Sequence, residues 1–111
     1  MELFKWDEVT PEMPEGPGVK IYWVIDKKRG AENFAMRVLE VAPGASSLYH
    51  QHWYEQEMYF LEGQGVATSV EGERPLSPGT VLWVRPNETH AFKNTGSAPM
   101  KFICCVPTKK P

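Results

Sequence analysis

Long apolar runs are missing from this chain of 111 residues, and that absence sets the first limits on its function. No stretch approaches the roughly 18 consecutive apolar residues of a membrane helix. Residues 1–6 carry Glu2 and Lys5 and lack the apolar segment of a secretory leader. There is no basic stripe: 12 Lys and Arg stand against 14 Asp and Glu, for a formal charge of -2, which argues against a nucleic-acid partner. The Lys109-Lys110 pair reads as a solvated tail. Cysteine is scarce, two residues and adjacent. A disulfide between sequence neighbours is strained, so Cys104 and Cys105 are expected as free thiols in a reducing, cytoplasmic compartment. No convincing helical stripe, solenoid repeat or low-complexity tract occurs. Histidine is scarce too, with only His50, His52 and His90.

What is present is β-like. With 41% hydrophobic and 12% aromatic residues, the composition suits one packed domain and leaves no room for a second core. Turn signals recur at Pro43-Gly44, Gly63-Gln64-Gly65, Glu71-Gly72, Pro78-Gly79, Pro86-Asn87 and Asn94-Thr95-Gly96. Short strands punctuated at about 8–12 residues indicate an all-β sandwich or barrel. Strands are expected at 19–25, 33–41, 47–52, 56–62, 65–70, 74–76, 80–84, 90–94 and 100–106, with a turn of helix near 6–9. The domain plan is an irregular lead-in over 1–18, a single barrel over 19–107 and a tail over 108–111.

Side chains alternate along a strand, so parity separates inside from outside. Lys101 faces water, which turns Phe102, Cys104 and Val106 inward. Lys93 faces out, so His90, Phe92 and Asn94 share the inner face. Gln56, Met58 and Phe60 form one face of their strand; Glu57, Tyr59 and Leu61 form the other. Apolar residues on both faces suggest that a second subunit covers part of the exterior, making a homodimer. His50 and His52, one residue apart, point the same way. Two imidazoles on one face, with His90 arriving from a distant strand, make an open site for a divalent transition metal.

These residues resemble the two motifs of the cupin superfamily. Gly44, His50-Gln51-His52 and Gly63 stand at first-motif spacing; Gly79, Pro86, His90 and Asn94 stand at second-motif spacing. The resemblance implies a double-stranded β-helix, or jelly-roll barrel, of two antiparallel sheets. It implies a metal site at His50, His52, Gln56 and His90. Three positions depart from the pattern. Gln56 occupies the place of the usual metal-binding Glu, Arg85 that of a Pro, and Asn87 that of a Gly. The last is mild, because Asn tolerates the left-handed backbone.

Gln56 has two available roles: its amide oxygen ligates the metal, the preferred reading, or it hydrogen-bonds a metal-bound water or a neighbouring ligand. Three imidazoles and an amide leave a divalent ion uncompensated and strengthen it as a Lewis acid. The donor set suits Zn, Fe, Ni, Cu or Mn without choosing among them. Met58, Phe60, Phe92 and Phe102 line the barrel, as core packing rather than as a substrate chamber. Arg37 shares a face with Leu39 and Val41 and either clamps a substrate carboxylate or joins a rim ion pair. Trp53, Tyr54 and Trp83 serve as a lid, as mouth packing or as dimer contacts. Cys104 reads as buried structure. Function then divides between a metal-dependent enzyme and a binding module. The enzyme would act on a small polar substrate, by oxidation or by sugar isomerisation or ring-opening. The binding module would hold a small ligand, and a vestigial barrel is a weaker third reading.

Overall fold

The computed structural model describes residues 1–109; Lys110 and Pro111, which hold part of the expected tail, lie outside the described residues. A 3-10 turn at Trp6–Glu8 is followed by β1 (Val19–Ile25), a second 3-10 turn (Lys27–Arg29) and β2 (Phe34–Val41). Then come β3 (Gln56–Glu62), β4 (Gly65–Ser69), β5 (Gly72–Leu76), β6 (Val81–Val84), β7 (Ala91–Asn94) and β8 (Met100–Pro107). Runs such as Val-Lys-Ile-Tyr-Trp-Val-Ile in β1 favour extended backbone, since branched and aromatic side chains pack well on a pleated surface. The second 3-10 turn carried no apolar signal. Its capping residue Asp26 accepts from the Arg29 N–H, and Gly30 closes it at φ 107°.

Every pairing is antiparallel. One sheet runs β1-β2-β8-β3-β6 and the other β5-β4-β7, giving the all-β jelly-roll barrel. The inner faces follow parity. Met58, Phe60, Phe92, Phe102, Cys104 and Val106 are all buried in one core. Phe102 packs against both Phe60 and Phe92, with ring centroids 6.3 and 5.5 Å away. These aromatics therefore fill the barrel, and burying each contributes about 1.5–3 kcal/mol.

One expected strand does not form. Residues 47–52 make no continuous ladder; only isolated bridges occur, Ser46 with Lys93 and His50 with His90. The Ser47 N–H reaches the Phe92 carbonyl oxygen at 2.9 Å, but the next N–H, at Leu48, is taken by the Glu15 carboxylate at 2.6 Å. The pairing breaks because the Phe92 N–H turns to Ser47 Oγ at 2.8 Å and because Ser47 to His50 spans three steps against two from Phe92 to His90, so simple alternation does not aim His50 and His52. His90 likewise precedes β7 rather than opening it.

Two motif residues hold the frame. Asn94, almost fully buried, donates from Nδ2 to the carbonyl oxygens of Val41 and Ala98, each at 2.9 Å, and its Oδ1 accepts from Gly96 N–H at 2.8 Å. Asn87 sits at φ 64°, the single non-glycine with positive φ among the described residues. Its N–H donates to the His52 carbonyl oxygen at 2.7 Å. This bond ties the loop before His90 to the loop carrying His52.

Candidate metal centre

The three histidines converge although the strand that was to present two of them is absent. Each offers one ring nitrogen, and these nitrogens lie within 4.8 Å of one another. Ring centroids are 5.5 Å apart for His50 and His52, 5.2 Å for His50 and His90, and 4.9 Å for His52 and His90. His50 is the most open of the three and is held opposite His90 by reciprocal backbone bonds of 3.1 and 2.9 Å. His90 is buried.

Carbonyl groups orient two of the rings. His52 Nδ1 lies 2.7 Å from the Tyr54 carbonyl oxygen, and His90 Nδ1 lies 2.7 Å from that of Glu88. A carbonyl oxygen only accepts, so Nδ1 carries the proton in both rings and Nε2 is left as a lone pair. Anchoring the far nitrogen in this way is the habit of metal-binding histidine. Tyr54 adds a second constraint by stacking on His52 at 3.7 Å between centroids. Burial, the largest influence, holds both His52 and His90 below the ordinary imidazole pKa, which favours the neutral ring in each.

Gln56, at the start of β3, is buried between His52 and Cys104. Its Nε2 donates to Cys104 Sγ at 2.9 Å, and its Oε1 faces His52 Nε2 at 2.9 Å. With Nδ1 protonated, this contact sets two lone pairs face to face, an arrangement that either a shared cation or the amide turned end for end would relieve. Two donors each about 2.1 Å from one ion and at right angles would stand about 3 Å apart, so the spacing fits adjacent ligands of one metal. The group of His50, His52 and His90 can therefore hold a metal ion.

The two acidic residues beside Gln56 are turned elsewhere. Glu57 is exposed on the outer face, and Glu55 accepts from Trp83 Nε1 at 3.0 Å. Arg37, on β2, reaches the interior beside Trp23, with its guanidinium carbon 5.1 Å over the indole. Trp53 packs edge-on against Tyr54 as mouth packing, whereas Trp83 is half exposed beneath the Arg85 guanidinium. A cavity of about 240 Å³ reaches His90 and Phe92 between β4, β5 and β6, with Ala67, Leu76, Val84 and Arg85 in its wall.

Sequence reasoning missed the orienting carbonyls and the contact to Cys104. The carbonyls had a local signal, since each lies two residues from its histidine within a turn. The Cys104 contact needs the pairing of β3 with β8, where Met58 opposes Cys104, and parity alone does not supply that pairing.

Known proteins resemble this chain in sequence and fold. Residues 37–106 match the family model described as "Cupin domain". The chain is 31% identical over 108 residues to the oxalate-binding protein of Thermotoga maritima, covering 89% of this chain and 88% of that protein. It is 32% identical over 118 residues to the glucose-6-phosphate isomerase of Pyrococcus abyssi, covering 92% of this chain but 60% of the isomerase. Among solved structures, the polyketide cyclase RemF of Streptomyces resistomycificus superposes with a TM-score of 0.90 at 25% identity, over 100% of this chain and 82% of that one. With both motifs in place, two antiparallel sheets and a family match over most of its length, this chain belongs to the cupin family.

Proposed function

We propose that this cupin is a metal-dependent enzyme acting on a small, oxygen-rich organic molecule, with His50, His52, Gln56 and His90 holding one divalent transition ion (Zn, Mn, Fe, Ni or Cu). The observation that carries this reading is the pair of Nδ1 protons fixed on the Tyr54 and Glu88 carbonyls, which aims the Nε2 atoms of His52 and His90 toward His50 and Gln56 Oε1. On a donor set with no negative charge, a divalent ion acts as a strong Lewis acid toward a carbonyl or hydroxyl oxygen. The chain's own part is positional. Tyr54 and Glu88 hold the imidazoles, Cys104 turns the amide, and Phe92 and Val84 keep the inner side of the site dry. The cavity beside His90 is sized for a small molecule. Relatives named as a sugar-phosphate isomerase and a polyketide cyclase favour rearrangement at a carbonyl over oxygen-dependent oxidation.

A second reading is binding without turnover, favoured by the relative named as oxalate-binding, of which this chain covers 88%. Elemental analysis of protein purified without a histidine tag tests the common ground. One ion per chain is expected, lost in His52→Ala; protein that retains none when offered Zn, Mn, Fe, Ni or Cu defeats the proposal. Product formation from hexose phosphates, uronates, catechols or thiols then establishes the enzyme. Thermal stabilisation by one of them without product establishes the binder.

The partner we assign is a second copy. Phe34, Met36, Tyr59, Val81 and Trp83 expose apolar surface on the outer side of the five-stranded sheet. The free thiols Cys104 and Cys105 suit a reducing compartment, and we place the protein in the cytoplasm. No helix among the described residues is long and apolar enough to cross a membrane.

A further inference from the structure

Arg37 is an interior cation that the metal site leaves unused. On β2 it is opposed by Trp23 on one side and Cys104 on the other, and its neighbours on the same face, Leu39 and Val41, are buried. Its Nε is buried without a hydrogen-bond partner, and among the described residues no carboxylate lies within ion-pair distance of it. A rim ion pair, the plainer expectation for this residue, is therefore not formed. The guanidinium instead lies against the Trp23 ring, and across the sheet Arg37 pairs with Cys104, whose sulfur meets the Gln56 amide that faces His52.

Two carboxylates from the loops around the centre keep their charge but turn to neutral N–H donors, and neither pairs with Arg37. Glu88 Oε1 accepts from the Arg85 N–H at 3.0 Å, and Glu55 accepts from Trp83. The interior around the triad thus combines neutral donors with one fixed cation, and a Gln stands where an acidic ligand would have balanced the charge. A site of that composition favours an anion.

We propose that Arg37 is an anion-binding residue and that the ligand of this site is a small organic carboxylate, gripped by the guanidinium with a second oxygen directed at the histidine triad; this rests on the triad being a metal centre. Stacking on Trp23 covers one face of the guanidinium and leaves its planar edge, which matches a carboxylate through two parallel hydrogen bonds. A neutral sugar offers no charge for it to compensate. Inorganic phosphate shares the charge and is the competing anion.

Calorimetric titration of metal-loaded and metal-free protein with formate, pyruvate, oxalate, 2-oxoglutarate, inorganic phosphate and the neutral pyruvamide decides the matter. At least one carboxylate should bind with Arg37→Leu weakening it tenfold or more, Arg37→Lys weakening it less, and pyruvamide indifferent to both changes. Metal content and near-ultraviolet dichroism of each variant confirm that the fold and the triad persist. Equal carboxylate affinity in Arg37→Leu overturns the proposal, as does Arg37-dependent binding of phosphate alone or binding of no carboxylate at all. Carboxylate binding that persists in metal-free protein and still depends on Arg37 separates the anion site from the metal reading, so either can fail without the other.

Discussion

At the scale of single residues, the informative pair is Gln56 and Cys104. A glutamine amide presents either end, and here the thiol sulfur holds the nitrogen so that the oxygen faces the histidines. Cys104→Ser keeps an acceptor for that nitrogen, whereas Cys104→Val removes it and puts a slightly larger apolar side chain in its place. Metal affinity, measured by competition with a chromophoric chelator, is expected to stay within a few-fold of wild type in the serine variant. It should fall about 10–100-fold in the valine variant, the usual penalty for losing an orienting partner. The opposite ranking, valine harmless and serine damaging, would reduce Cys104 to packing. Parity puts both Gln56 and Cys104 on inner faces, opposite Glu57 and Lys101; Glu57 is exposed as expected, whereas Lys101 points outward but is mostly covered, with its ammonium over the Trp6 ring. Their meeting was not legible, because it depends on which strand lies beside β3.

Elements show where local sequence suffices and where it fails. Strands β1, β2, β3 and β8 carry dense branched and aromatic runs, and their expected and observed limits agree within a residue or so. The segment 47–52 looked equally extended, but its ladder is broken by an extra residue between Ser47 and His50 and by the Ser47 hydroxyl, which takes the Phe92 N–H. No periodicity reports such a mismatch with a strand some forty positions later. Asn94 shows the reverse, a turn residue whose inward parity was readable and whose side chain clamps three backbone groups. Asn94→Ala strands the Val41 and Ala98 carbonyls in a dry interior. It should cost about 3 kcal/mol in urea unfolding, with the midpoint falling at constant slope. A loss below about 1 kcal/mol would mean that water reaches these groups and the clamp is dispensable.

For the whole molecule, the outer side of the five-stranded sheet leaves Phe34 and Val81 largely exposed, at 77% and 73%, on opposite flanks of Tyr59. A lone soluble chain rarely presents so broad an apolar surface, and covering it with another copy removes it from water. Light scattering should return twice the 12.6 kDa chain mass, and Tyr59→Glu combined with Val81→Glu should return the single mass with metal content unchanged. Wild-type protein running as one chain at micromolar concentration would reject the dimer. The sequence announced this surface through apolar residues on both faces of β3 and β8, but not its extent, which follows from β6 lying beside β3.

The hydrogen bond from Asn87 N–H to the His52 carbonyl oxygen joins the two segments that bear histidines. Because that link is main chain to main chain, it owes nothing to any bound ion. For the ion proposed above, the cradle would be set in advance, with little chain entropy left to lose at the moment of capture. Loading should be quick and leave the backbone where it was, so an emptied protein is ready to be refilled, with a different metal if one is offered.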